Sequence, residues 1–277
     1  MALQTDQNGM FIYGMTSTDE LSGFLKHKFS EHQIQQSYDY LVEATKEKAR
    51  REKTSPLRIF WQHLKKVFNE GVPPLQCHRG CSHCCHTGVS CTQLEWDGIL
   101  KNAEENSIDL NAVMERSQRT LNKVEEVLKA GKKLETEEWH RLVINQPCPF
   151  LNDEGACEVY EDRPLDCRMV VAFRGVCESK KLEHAQRGVV LEEAVGATVI
   201  AKLQHDLTPK IKRRKFRGTQ PIKLLQHWLI LWKLSWVPRL NPLSDSNRTV
   251  VFCARSEPRK ASIKRPISAS TWLMAAK

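Results

Sequence analysis

The sequence predicts a mainly α fold, a helical body around a small irregular cysteine-rich core with a short hairpin. Three observations carry this reading. Outside the cysteine-rich stretches, apolar residues recur at helical spacing. There is no internal repeat and no strand–helix alternation of the kind that builds a parallel sheet. A turn sequence, Asn152-Asp153-Glu154-Gly155, stands between short apolar flanks inside a group of cysteines.

Taken in order, residues 1–16 read as loose. Ser17 and Glu20 fit a capping box, which predicts a helix from there. Helical stretches then run to about Asn69, interrupted near Ser55-Pro56 because proline disfavours helix in the residue before it. Phe60, Leu64 and Phe68 keep the helical spacing, and Gly71-Val72-Pro73-Pro74 breaks it. In the middle, Leu110, Val113, Met114, Leu121, Val124, Val127 and Leu128 form one apolar stripe, read as core packing, with Gly131 at the expected C-terminal cap. Further helices are expected over Glu135–Ile144 and Leu191–His205. Three regions follow: an N-terminal helical region over 1–70, a cysteine-cluster domain over 71–207, and a basic C-terminal tail over 208–277 with a Trp-rich helix.

The net charge of +9 is unevenly spread. Residues 209–277 hold 16 Lys+Arg against 2 Asp+Glu, leaving the preceding residues with 26 basic and 31 acidic side chains. The tail is basic and the body is mildly acidic, so the two need not meet the same partner. Met1–Met15 carry no basic leader followed by a long apolar run, so no secretory signal is expected. No stretch of about 18 uncharged apolar residues is present, which argues against a spanning helix. Ten cysteines without an export signal point to a reducing, cytoplasmic setting, where such thiols bind metal more often than they form disulfides.

The cysteines fall into two groups. The first reads Cys77-His-Arg-Gly-Cys81-Ser-His-Cys84-Cys85, with Gly80 allowing the tight turn a ligand loop needs. The second runs from Cys148 through Cys157 to Cys167. Closing the hairpin at Asn152–Gly155 pairs Phe150 with Cys157 and puts Cys148, Phe150 and Cys157 on one face, so two thiols aim at one place. Thiolates suit zinc and iron–sulfur clusters, and both usually take four. Cys77, Cys81, Cys84, Cys85, Cys148, Cys157 and Cys167 are the expected ligands, and Cys177 is a candidate eighth. Adjacent side chains such as Cys84 and Cys85 diverge, so two ions, or a cluster with an additional ion, fit better than one simple zinc site. Arg79, Arg163 and Arg168 are suited to offset thiolate charge. His78, His83 and His86 are suited to replace or support ligands, although any one of them also reads as a surface residue of a polar loop. Cys91 and Cys253 lie off the pattern and read as buried or free thiols.

The first group, with Cys148-Pro149-Phe150-Leu151, Cys157-x-x-Tyr160 and Arg163-Pro164-x-x-Cys167-Arg168 downstream, resembles the YkgJ-like cysteine-cluster family. Glu95 also looks like a family position. The resemblance spans roughly residues 77 to 180 and implies a zinc- or iron-chelating domain with the matching cysteines as ligands. Some members of the wider group are flagellin lysine N-methylases, so the resemblance leaves an enzymatic role open. Cys77-x3-Cys81-x2-Cys84 also has the spacing that holds a [4Fe-4S] cluster in radical S-adenosylmethionine enzymes, although their βα barrel is not visible here. Beyond the resemblance, Lys210–Arg217 and a helix bearing Trp228, Trp232 and Trp236 every four residues, with Lys223 and Lys233 beside them, fit contact with an anionic membrane, and the basic run also fits nucleic-acid phosphates. The same helix fits equally well docked on the body with its tryptophans buried. Residues 241–277, rich in Ser, Arg, Pro and Lys, are expected to be disordered.

Overall fold

A computed structural model describes residues 4–5, 11–13, 30–70, 79–134, 136–168, 187–189, 195–208 and 222–236. The expected cap at Ser17–Glu20, the break at Gly71–Pro74, the basic run at 210–217, Cys77, Cys177, Cys253 and residues 241–277 lie outside them. The described chain is mainly helical. In order it forms β1 (Gln4–Thr5), β2 (Phe11–Tyr13), α1 (Glu31–Glu52), α2 (Pro56–Glu70), a 3₁₀ turn (His83–His86), β3 (Ser90–Cys91), α3 (Gln93–Glu105), α4 (Leu110–Arg116), α5 (Gln118–Lys129), α6 (Thr136–Val143), a second 3₁₀ turn (Tyr160–Asp162), α7 (Leu165–Arg168), β4 (Arg187–Val189), α8 (Gly196–Leu207), β5 (Lys223–Leu224) and α9 (Leu225–Trp236). Strands β1, β2 and β4 pair antiparallel in that spatial order.

Local chemistry sets the helix ends. Ser30 caps α1: its hydroxyl accepts from Gln33 N at 3.2 Å, and Gln33 Oε1 accepts from Ser30 N at 2.9 Å. Lys53, with φ of 51°, closes that helix, and Pro56 opens the next, where its missing N–H costs nothing. Gly131, with φ of 63°, ends α5 as its position suggests. The apolar stripe of the middle region is divided between two helices. Ser117 N donates back to Val113 and Met114, and the hydroxyl residue, buried at the corner, restarts the chain as α5. Val113, Met114, Leu121 and Val124 are buried as expected, whereas Leu128 is 39% exposed at the end of the turned helix.

Two apolar clusters organise the body. Leu41, Phe60, Leu64, Leu165, Val199 and Leu203 tie α1, α2, α7 and α8 together. A Cβ on Gly196 would meet Leu165 at 3.1 Å, so glycine lets α8 seat directly against the short α7. The second cluster gathers Trp96, Ile99, Val124 and Phe150 with Leu225, Trp228 and Leu229 of α9. Strand β5 pairs antiparallel with β3, Ser90 opposite Leu224, and Leu225 N donates to Val89 O at 3.0 Å. Trp228 is buried, stacks on Trp96 with ring centres 6.3 Å apart, and donates its indole N–H to Cys91 O at 3.0 Å. Of the two expectations for the Trp-rich helix, docking on the body is the arrangement seen at Trp228. α9 therefore shares a core with the cysteine region, although the sequence places it beyond the boundary at 207–208. Among the described residues, no helix is long and apolar enough to cross a membrane.

Asp162 joins the helical region to the second cysteine group. Its carboxylate accepts from Arg58 Nε at 3.2 Å, Arg58 Nη2 at 2.9 Å and Asn102 Nδ2 at 2.8 Å, with only 3% of its side chain exposed. Asp162→Ala leaves Arg58 Nε and the buried Asn102 amide without their acceptor, while Glu105 still accepts from Arg58 Nη1 and Nη2. The expected cost is about 3 kcal/mol, read as a lower denaturant midpoint at unchanged m-value.

His227 adds a pH dependence. Its ring meets Trp139 edge-on at 4.2 Å and its buried Nδ1 has no hydrogen-bond partner. Burial, then Lys223, pushes its pKa down from 6.5 to about 4. Above pH 6.5 the imidazole is neutral in both folded and unfolded chains. As pH falls from 6.5 towards 4 only the unfolded chain takes up the proton, so stability declines, by on the order of 2 kcal/mol. Thermal melts across that window should show the decline, and His227→Leu should flatten it.

Candidate metal centre

Among the described residues of the first cysteine group, 79–82 have no regular structure. Gly80, with φ of 96°, makes the turn before Cys81. The 3₁₀ turn His83–His86 then carries Cys84 and Cys85, held by Cys85 N to Ser82 O at 2.9 Å and by Thr87 Oγ1 to Cys84 O at 2.8 Å. The second group docks on it directly. Cys148 N donates to Cys85 O at 2.7 Å, and Asn145 N donates to His86 O at 2.8 Å.

The hairpin forms one residue out of the expected register. Leu151, not Phe150, bridges to Cys157, and Asn152 pairs with Ala156 around a tight loop. Asn152 Oδ1 accepts from Glu154 N at 3.1 Å and Ala156 N at 2.8 Å, and Gly155 takes φ of 75°. The asparagine thus belongs to the base of the loop, leaving three residues in it, and this shifts every pair by one. Phe150 consequently packs into the apolar core. Cys148 reaches the site from a turn, with Leu151 N donating to Cys148 O at 3.0 Å, so strand alternation is not what aims it.

Six thiols meet. Cys81, Cys84, Cys85, Cys148, Cys157 and Cys167 line one cavity of about 70 Å³, together with Tyr160, Arg163 and Asp166. All six are thiols, as is Cys91, which is 1% exposed and faces the apolar core instead. Neither Arg79, His83 nor His86 is part of the lining. Cys77, His78 and Cys177 lie outside the described residues. Among those described, no group of three or more His, Cys, Asp or Glu is already closed into a geometry that could hold an ion.

Their electrostatics follow from crowding in a buried place. Burial pushes the Cys148 thiol up to about 12, with Cys157 adding to it. Burial likewise raises Cys167, with Cys148 as the next contributor, while at Cys157 the nearby Val159 N–H, Arg163 and Arg168 oppose the rise. Cys85 is raised chiefly by its hydrogen bond with Cys84 and then by burial. Each thiolate would therefore be costly beside its neighbours unless a cation sits among them. Arg163 lies 4.3 Å over the Tyr160 ring. Arg168 lies 4.3 Å over the Trp61 ring and donates from Nε to Arg163 O at 2.9 Å. Burial, then Arg163, pushes its pKa down to about 10.

These segments lie within one recognisable stretch. Residues 76–187 match the CxxCxxCC family, described as a putative zinc- or iron-chelating domain. No curated protein matches the chain, and no solved structure does. The first interval of the CxxCxxCC stretch is longer here than the family label spells, Cys77-x3-Cys81. Sequence reasoning missed Asp166 and Gly88 in the lining of this site. Asp166 sits in Leu-Asp-Cys, where an acid beside a candidate ligand was a usable signal. Gly88 had none: its role comes from α6, because a Cβ there would meet His140 Cδ2 at 2.8 Å and Val143 Cγ2 at 3.0 Å. Gly88→Ala forces the His140 and Val143 side chains of α6 to shift, at a cost of about 1–3 kcal/mol, which a thermal melt measures.

Proposed function

We propose that this chain binds zinc or iron through clustered thiolates. Its ligands are Cys81, Cys84, Cys85, Cys148, Cys157 and Cys167, joined by Cys77 and Cys177. The observation that carries the reading is the convergence of six thiols from two distant segments on one cavity. Soft sulfur donors select zinc, copper(I) and iron–sulfur clusters over magnesium or calcium. Six thiols exceed the four that one zinc ion takes, so two ions, or a cluster with an additional ion, suit the donor set. Thiols clustered in this number support a cytoplasmic or similarly reducing setting.

A catalytic metal keeps one coordination position open. Cys85, Cys148, Cys157 and Cys167 stand around the same space as Cys81 and Cys84, which supports a closed binding site over radical S-adenosylmethionine chemistry or lysine methylation. Anaerobic purification followed by elemental analysis and a visible spectrum tests the reading. Zinc or iron at one or more equivalents per chain is expected. A brown chromophore marks a cluster, and a colourless protein with zinc excludes one. A folded chain carrying neither metal overturns the proposal.

A further inference from the structure

Two cysteine groups must stay in register before any ion reaches them, and backbone contacts between Cys85 and Cys148 secure only part of the site. The helix that bears Cys167 is held differently. Glu95 lies on α3, downstream of the first group, and is 3% exposed. Its Oε1 accepts from Leu165 N, at the start of α7, at 2.8 Å. Its Oε2 accepts from Thr92 N at 2.7 Å and Thr92 Oγ1 at 2.9 Å. Asp166 belongs to the second group, and its Oδ2 accepts from Ser90 N, in β3 just after the first group, at 2.9 Å. Each segment thus places a carboxylate on the other segment's backbone.

We infer that Glu95 and Asp166 are positioning residues, a reciprocal pair of carboxylate-to-backbone hydrogen bonds that fixes Cys167 against the Cys81–Cys85 loop. The inference rests on reading these thiols as metal ligands. Ionised acceptors make the stronger class of hydrogen bond, and three donors converge on Glu95, so an amide there cannot satisfy them all. Asp166 accepts from Ser90 N through Oδ2, a bond that an amide oxygen can also accept. Holding the ligands in place beforehand removes an ordering cost from metal binding, and groups that orient ligands typically change metal affinity ten- to a hundredfold.

The test is zinc titration of the reduced, metal-stripped full chain against a chelating dye, with thermal melts of each variant with and without zinc. Glu95→Gln and Asp166→Ala should bind zinc about 10–100 times more weakly, at unchanged stoichiometry when saturated, because every thiol remains. Asp166→Asn, which keeps an acceptor for Ser90 N, should bind more tightly than Asp166→Ala. The rise in melting temperature on adding zinc should shrink in the weakened variants. A residue that merely supports the fold would lower both melts together and leave that rise intact. If Glu95→Gln does not fold, the Ala and Asn variants of Asp166 decide by themselves. Unchanged affinity in Asp166→Ala overturns the inference. So does an Asp166→Asn variant as weak as Asp166→Ala, which would make the carboxylate a ligand instead. A wild-type chain that takes up neither zinc nor, on anaerobic reconstitution, iron removes the metal reading and this inference with it, whereas tight wild-type zinc binding matched by every variant removes this inference alone.

Discussion

Stripping the metal with a chelator, under reducing and anaerobic conditions, is expected to destabilise the protein by several kcal/mol and lower its melting temperature by more than about 10 °C. The cysteine region owes little of its shape to regular structure. Between Arg79 and Gly88, and again between Asn145 and Pro164, the chain runs through turns and single 3₁₀ turns. Such a backbone has turn and loop hydrogen bonds but no α-helix or extended sheet ladder, and its half-buried thiols line one cavity. Structural zinc contributes on the order of 10 kcal/mol in small thiolate domains, as much as the whole stability of an ordinary domain. The cluster of α1, α2 and α8 has its own apolar core and should keep its helices, so circular dichroism should show partial rather than complete loss. A melting curve indifferent to the chelator would contradict the account.

Cys84→Ser and Cys157→Ser are expected to cost nearly as much. They take one thiol from each group, and a serine hydroxyl is a hard, weakly acidic donor that does not replace a thiolate. Bound metal should fall by at least about half in each variant, with a matching loss of stability. Cys91→Ser is the control. Cys91 is buried against Trp96 and Trp228 rather than facing the cavity, so its variant should lose stability and keep its metal. Elemental analysis of the three variants beside wild type measures both effects. Full metal content in Cys84→Ser and Cys157→Ser would contradict the ligand assignment.

Much of the fold was legible because its causes are local. Pro56 marks a helix start, Gly131 a helix end, and the turn at Asn152–Gly155 a chain reversal, each through backbone geometry that one residue dictates. That Cys81, Cys84 and Cys85 stand around one cavity with Cys148, Cys157 and Cys167 was foreshadowed by the density of thiols in two groups. What escaped depends on contacts between distant segments. The hairpin register turned on whether Asn152 sits in the loop or at its base, a choice made by its side-chain hydrogen bonds. The choice between the two expected placements of α9 turned on Trp96, which offers Trp228 a stacking partner far away in sequence. The basic composition around that helix suggested a separate tail, whereas its apolar face was already part of the core. Glu95 was singled out only by resemblance. Its grip on Leu165 N is invisible until α3 and α7 are placed side by side.

X-ray absorption at the metal edge of the purified full chain tests the central claim most directly. The account predicts a first shell dominated by sulfur at about 2.3 Å, diminished when Cys148 or Cys167 is replaced by Ser. A shell of nitrogen and oxygen alone, or one unaltered by either replacement, would show that the two cysteine groups do not share an ion.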